Sequence, residues 1–173
     1  ISTVADSLNK YENLKVIWID AHPDINTYEQ SFSKNFHGMP LSFLTGLDKS
    51  EQFSFIKRKL SFKNLLYIGI RDIDVFEKKK ISECNINYLS VDDIINETDK
   101  TIDIIKKFTN NDVVHLSFDV DSIDPKYMPC TGTSVNNGLN ITSTKKIIES
   151  LENIISIDIT ELNLDIGSND HKF

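Results

Sequence analysis

Five short apolar runs, each bounded by charged or turn-forming residues, limit what this chain can fold into. They are LKVIWI (14–19), LLYIGI (65–70), INYLSV (86–91), VVHLSFDV (113–120) and IISIDIT (154–160). Each is rich in β-branched residues and short for a core helix, so each predicts a buried strand. Helical spacing fills the stretches between them. STVADSLNKY (2–11) puts Val4, Ala5 and Leu8 on one face, with Ser2 or Thr3 as the expected cap. Residues 20–37 read as a long loop. A short helix is expected from Gly38, with Pro40 in its first turn. Further helices are expected over 72–84, 92–108 and 143–152; in the second, Ile94, Ile95, Thr98, Ile102 and Ile105 form an apolar core face. Strands that alternate with helices, and are apolar almost throughout, predict an α/β fold: a three-layer parallel β-sheet with helices on both faces.

The 173 residues suit a single domain, 1–173, with a core of its own. Hydrophobic residues make up 39% and charged residues 26%, an ordinary globular balance. The formal charge is −7 and no basic patch stands out, which argues against nucleic acid as a partner. No apolar stretch approaches the length of a membrane span, so no membrane partner is expected. Cys84 and Cys130 lie far apart without Cys-x-x-Cys spacing, which fits a reducing, cytoplasmic location.

Open α/β sheets bind ligands beyond the carboxyl ends of their strands. Strand one ends in Asp20, His22 and Asp24, and strand two in Arg71, Asp72 and Asp74. Strand four ends in Asp119, Asp121 and Asp124, and strand five near Asp158 and Glu161. A single acidic strand end is turn chemistry. Four on one edge of a sheet ask for another explanation. Asp20, His22 and Asp24 point to one side if the backbone stays extended, and Pro23 biases His22 that way. Converging carboxylates repel one another and hold their protons more tightly unless cations neutralise them. Carboxylates with imidazole and no thiolate favour a hard divalent ion such as Mn²⁺. Four carboxylates balance two such ions, which points to a binuclear hydrolytic centre. His115 lies inside a strand and reads as a core residue, whereas His171 reads as part of an exposed polar tail. Arg71, Asp72 and Asp74 fit an ordinary strand-end ion pair equally well.

WIDAHPDINT, SFSKNFHGMPLSF, YIGIRDID, HLSFDVDSIDP followed by TGT, and DITELN together resemble the arginase branch of the ureohydrolases. The resemblance runs, with gaps, from about residue 16 to 165. It implies an arginase-like fold, hydrolysis of L-arginine to L-ornithine and urea, two Mn²⁺ ions and a homotrimer. Position by position, it implies that Asp20 and Asp119 bridge the ions, that Asp24 completes one site, and that His22 and Asp121 complete the other. Asp24 also steadies the reacting centre in this reading. His37 matches the proton shuttle, while Glu161 and Thr133 match the guanidinium grip. Asn26, Ser31, Ser33 and Asn35 match the loop that takes the substrate α-carboxylate. Asp74 and Glu77 match the acidic pair near its α-amino group.

Departures accompany the match. Lys34 and Ser122 stand where the family usually has Gly, and Cys130 where it usually has Ala. The family's His ligand in Gly-Gly-Asp-His-Ser, expected shortly before this segment, does not occur in the 173 residues. The expectation is therefore the middle of a longer chain, truncated at both ends. Two rival readings stay open. One is an agmatinase or another guanidino-compound amidinohydrolase; the other is a catalytically silent metal-binding or assembly subunit of the same fold.

Overall fold

In the computed structural model, residues 1–166 are described; His171 lies outside them. The five strands are β1 (Lys15–Ile19), β2 (Leu65–Ile68), β3 (Asn87–Leu89), β4 (Val114–Asp119) and β5 (Ile154–Thr160). They form one parallel sheet in the order β3-β2-β1-β4-β5. The helices are α1 (Ser2–Lys10), α2 (Pro40–Thr45), α3 (Val75–Glu83), α4 (Val91–Asn96), α5 (Thr98–Thr109) and α6 (Ile141–Ser150). None is long and apolar enough to cross a membrane.

The strands are apolar on both sides because both faces are covered. Val4, Leu8, Phe43 and Ile81, from α1 to α3, pack with Val16, Trp18, Leu65 and Tyr67 of the sheet. Ile94, Ile105 and Ile147, from α4 to α6, pack with Ile17, Ile19, Leu66 and Leu116 on the opposite face. The chain steps outward from β1 to β3 through one helix layer, then crosses to β4 and β5 through the other. A single crossover hand requires this change of face when the direction reverses. The reversal leaves a crevice between the carboxyl ends of β1 and β4, and Asp20 and Asp119 sit at its mouth.

Several elements differ from expectation. The single helix over 92–108 is two, broken at Glu97 (φ −133°, ψ 47°). α4 has a capped start and a side-chain bond near its end, whereas α5, with Glu97 as its N-cap, has no side-chain cap. A capping box between Ser90 and Asp93 opens α4, and the Thr98 hydroxyl bonds back to Ile94 O at 2.6 Å. The break turns Ile95 outward, so it is exposed while Ile94 and Ile105 are buried. The helix over 72–84 starts late, because the Asp74 side chain caps it. The last helix starts early, at Ile141, where Asn140 Oδ1 accepts from Ser143 N at 2.8 Å. Neither Ser2 nor Thr3 caps α1; Ile1 is its N-cap and makes no side-chain bond. Phe36–Gly38 form a 3₁₀ turn, and α2 begins only at Pro40.

Among the described residues, the cover on both faces stops at β5. Ile155, Ile157 and Ile159 are exposed although they alternate along a seven-residue strand. Among the described residues, β5 pairs only with β4 and no helix shields those three side chains.

Candidate metal centre

Asp20, His22 and Asp121 each offer a ligand atom, and the three atoms lie within 4.8 Å of one another. His22 Nδ1 is 3.0 Å from Asp121 Oδ2 and 3.5 Å from Asp20 Oδ1. Two segments build this trio. β1 delivers Asp20, whose Oδ1 accepts from His22 N at 2.7 Å, tightening the turn beyond the strand. β4 ends in a 3₁₀ turn over Val120–Ser122, and Asp119 Oδ1 accepts from Asp121 N at 2.9 Å. Asp121 Oδ1 reaches back to Ala21 N at 3.2 Å, stitching the two strand ends together.

Neighbouring donors aim the carboxylates. Trp18 Nε1 donates to Asp20 Oδ2 at 2.9 Å, Thr133 Oγ1 to Asp121 Oδ2 at 2.7 Å, and Thr160 Oγ1 to Asp119 Oδ2 at 2.9 Å. Such outer partners fix the orientation of ligating carboxylates. Trp18 was legible as a candidate in principle, since a residue two before Asp20 shares its side of the strand.

The electrostatics fit a cation. Burial raises Asp20 to about 6. Burial, together with Asp20 and Asp121, raises Asp119 to about 8. Burial and the nearby Asp20 also push Asp24 well up. For His22, burial works against the charged form, but the bonds to Asp121 and Asp20 prevail and raise it to about 11. For Asp121, burial is likewise outweighed, by His22 and Thr133, and its carboxyl falls to about 2. A protonated imidazole is thus the positive charge round which these acids gather. A divalent ion supplies more charge of the same sign and competes with the proton for the same nitrogen. An acidic, thiolate-free donor set of this kind suits a hard ion.

Asp24 does not continue the line of Asp20 and His22. Its φ is +51°, so the extended run stops there and the backbone turns towards α2, where Asp24 O accepts from Leu41 N at 2.9 Å. Asp24 and Asp119 face the same cleft as the trio without joining its tight grouping. Asp124 and Asp158 leave the site altogether. Asp124 holds Lys126 N and Gly138 N (3.1 and 3.0 Å). Asp158 lies within β5, 3.6 Å from His115 Nε2. His115 is itself buried in the core, with Nδ1 2.7 Å from Ser156 Oγ. Of the two readings open for the end of β2, the ion pair is not formed by Arg71, whose guanidinium bonds to backbone carbonyls and not to Asp72 or Asp74.

The cleft has a volume of about 360 Å³. Besides the five acidic and imidazole groups, it is lined by Asn26, Ser31, Ser33, Asn35, His37, Asp74, Glu77, Thr133 and Glu161. The fourteen residues that the resemblance assigned to the metal, substrate and catalytic roles therefore line the wall of one cleft. The 26–35 loop is tied within itself. Ser31 Oγ accepts from Lys34 N at 3.1 Å, Ser33 Oγ from Asn35 N at 3.3 Å, and Lys34 Nζ donates to Tyr28 O and Glu29 O at 2.6 and 3.1 Å. Lys34 has a φ of +61°, which explains why glycine suits that position. Asp74 and Glu77 are joined by the capping box of α3, and Asn26 Nδ2 donates to Asp74. Glu77 also accepts from Ile25 N at 3.3 Å, and burial raises it to about 7. Phe32, fully exposed at the cleft's edge, was not singled out from the sequence, where an aromatic in a polar loop carries no positional signal.

The family model described as "Arginase family" matches residues 1–172. The chain belongs to the arginase family. Among curated relatives, the arginase of Neurospora crassa is 41% identical over 178 residues, covering 94% of this chain and 50% of the relative. That of Saccharomyces cerevisiae is 38% identical, covering 98% of this chain and 55% of the relative. The solved Entamoeba histolytica arginase, a complex with L-ornithine, superposes with a TM-score of 0.91 at 34% identity, covering 98% of this chain and 61% of that one. The chain thus spans about half the length of the curated arginases it matches, and the five-stranded parallel sheet is an arginase-family fold.

Proposed function

We propose that this chain carries the metal- and substrate-binding portion of an arginase that hydrolyses L-arginine to L-ornithine and urea with two Mn²⁺ ions. The observation that carries the reading is the Asp20–His22–Asp121 grouping in the crevice where the strand order reverses. Those three side chains would hold one ion. Asp24 and Asp119, on the same cleft wall, would serve the other, with Asp20 and Asp119 shared. When bound, such a pair lowers the pKa of water and makes a nucleophile available at neutral pH.

The remaining steps belong to this chain's own residues. Glu161 would grip the guanidinium, since a carboxylate facing that planar group makes two parallel charge-assisted bonds. Thr133 lines the same wall. Asn26, Ser31, Ser33 and Asn35 offer hydroxyls and amides to an α-carboxylate, and Asp74 offers negative charge to an α-ammonium. His37, exposed on the 3₁₀ turn beside the cleft, would carry a proton to the leaving amine, a task suited to imidazole. Asp24 would accept a hydrogen bond from the attacking group.

The test uses the full-length protein with Mn²⁺, following urea and ornithine from L-arginine beside the same assay on agmatine. Expected is metal-dependent turnover of arginine and a preference of roughly 10⁴-fold over agmatine, because a site built to bond a group rejects analogues lacking it. No urea at saturating Mn²⁺, or equal use of agmatine, would overturn the reading. A cytoplasmic homotrimer completes it, and light scattering on the same protein measures the trimer.

A further inference from the structure

Arg71 carries five N–H groups, and the structure gives each a backbone carbonyl. Nε donates to Asn136 O at 3.1 Å. Nη1 donates to Gly69 O at 3.2 Å and Ser122 O at 3.1 Å. Nη2 donates to Asp121 O at 2.8 Å and Val135 O at 2.7 Å. The acceptors come from three separate segments: the turn after β2, the 3₁₀ turn that presents Asp121, and the loop that presents Thr133. Only a planar five-donor fork can join so many oxygens at once; an ammonium has three donors on one atom.

The second half of the arrangement lies at Gly138. A Cβ there would sit 2.5 Å from Asp124 N, 2.7 Å from Ile123 C and 2.8 Å from Arg71 Nη2. The loop therefore returns to the end of β4 so closely that no side chain fits between it and the guanidinium. At the far side of the same loop, Thr133 Oγ1 reaches Asp121 Oδ2 at 2.7 Å. Asp121 is consequently held from two directions, its carbonyl by Arg71 and its carboxylate by Thr133 and His22.

We propose that Arg71 is a positioning residue that clamps the 131–138 loop to the Asp121 turn. In doing so it sets the Thr133–Asp121 pair that walls one cation position and the guanidinium end of the cleft. The clamp stands on geometry alone; its effect on cation and arginine binding rests on the function proposed above.

The experiment compares the full-length parent with Arg71→Lys and Gly138→Ala. The first keeps the charge but loses the fork. The second keeps the guanidinium and pushes the loop off it. Hydrogen exchange followed by mass spectrometry, in chelator, should show amides of 131–138 exchanging at least tenfold faster in both variants, with β1 and β4 as protected as in the parent. Mn²⁺ titrations should show at least tenfold weaker binding. At saturating Mn²⁺, kcat should recover while KM for arginine stays raised, a split that general loss of structure does not produce. Parent-like exchange of the loop in Arg71→Lys overturns the clamp. If that variant does not fold, parent-like loop exchange in Gly138→Ala overturns it instead. A parent that binds no Mn²⁺ or leaves arginine intact overturns the proposed function, and the exchange result then decides the clamp by itself.

Discussion

Among the described residues, the two sides of the cleft are held by different amounts of pairing and cover. On the β1 side, Asp20, His22 and Asp121 grow from strands paired on both flanks, and their carboxylates are buried and bonded to fixed donors. On the β5 side, Glu161 is exposed at a φ of +61°, at the end of a strand that among the described residues has one partner and one bare apolar face. Ligand geometry at a strand end is as firm as the pairing behind it. A strand held on both flanks aims its last residues; a strand held on one leaves more of that task to whatever else covers it.

That contrast is open to attack, most forcefully at the rigid side. Asp121→Asn removes the charge that holds His22 and should lower kcat/KM of the full-length enzyme by about 10³-fold or more, on the scale of losing a group that acts directly on the reacting centre. Steady-state urea release measures it, and a loss under tenfold would mean the trio is not the working centre.

Next comes a paired comparison across one β-ladder. Leu116 of β4 and Ile157 of β5 are register neighbours, yet one is 1% and the other 51% exposed. Leu116→Ala should cost about 2–5 kcal/mol in denaturant melts of the 173-residue chain. Ile157→Ser should lie within about 0.5 kcal/mol of the parent. Equal losses would show that β5 is covered after all.

The acid cluster predicts a pH slope of opposite sign with and without metal. Asp20 and Asp119 have folded pKa values of about 6 and 8, above the usual carboxylate range. The folded apo protein therefore binds protons that the unfolded chain has released, and its stability falls as pH rises from about 4 through 8. His22, raised to about 11, acts in the same direction: its contribution is complete below about 6.5 and fades above that. Asp121, near 2, has its contribution in place throughout this window. Melting temperature in chelator should fall between pH 5 and 8, by roughly 2–4 °C for each kcal/mol. With excess Mn²⁺ it should rise across the same window, as protons stop competing. A chelated protein that grows more stable from pH 5 to 8 would contradict the repulsion.

The smallest effect on melting in chelator is expected from Asp119→Asn, although turnover should fall by orders of magnitude. The substitution removes a buried acid whose ionised form is repelled by Asp20 and Asp121, so above about pH 8 the chelated protein should melt at the same temperature or slightly higher, while the Mn²⁺-dependent rise shrinks. An undiminished rise would remove Asp119 from the metal site.

Much of this was legible before any coordinates. Short apolar, β-branched runs located the strands, helical spacing located the helices, and acidic strand ends located the cleft, because a parallel sheet sends all its carboxyl ends to one edge. What stayed hidden depends on contacts distant in sequence or on local competition. Asp24 leaves the extended line because α2 binds its carbonyl. Asp158 turns to His115 and not to the cleft. The break at Glu97 lies inside one apolar pattern, where the Thr98 hydroxyl takes the Ile94 carbonyl, and periodicity alone does not show it. Arg71 looked like half of an ion pair because sequence shows charges and not carbonyls.

Lys34 draws the 26–35 segment into a ring. Its ammonium closes on Tyr28 O and Glu29 O and lies 5.2 Å from the centre of the Tyr28 ring, while Tyr28 N is moored to Asp48 Oδ2 at 2.8 Å. The segment's conformational entropy is thus surrendered when the chain folds. A small anion reaching Ser31, Ser33 and Asn35 meets a receptor already shaped, and its affinity is not diminished by the cost of freezing a mobile loop.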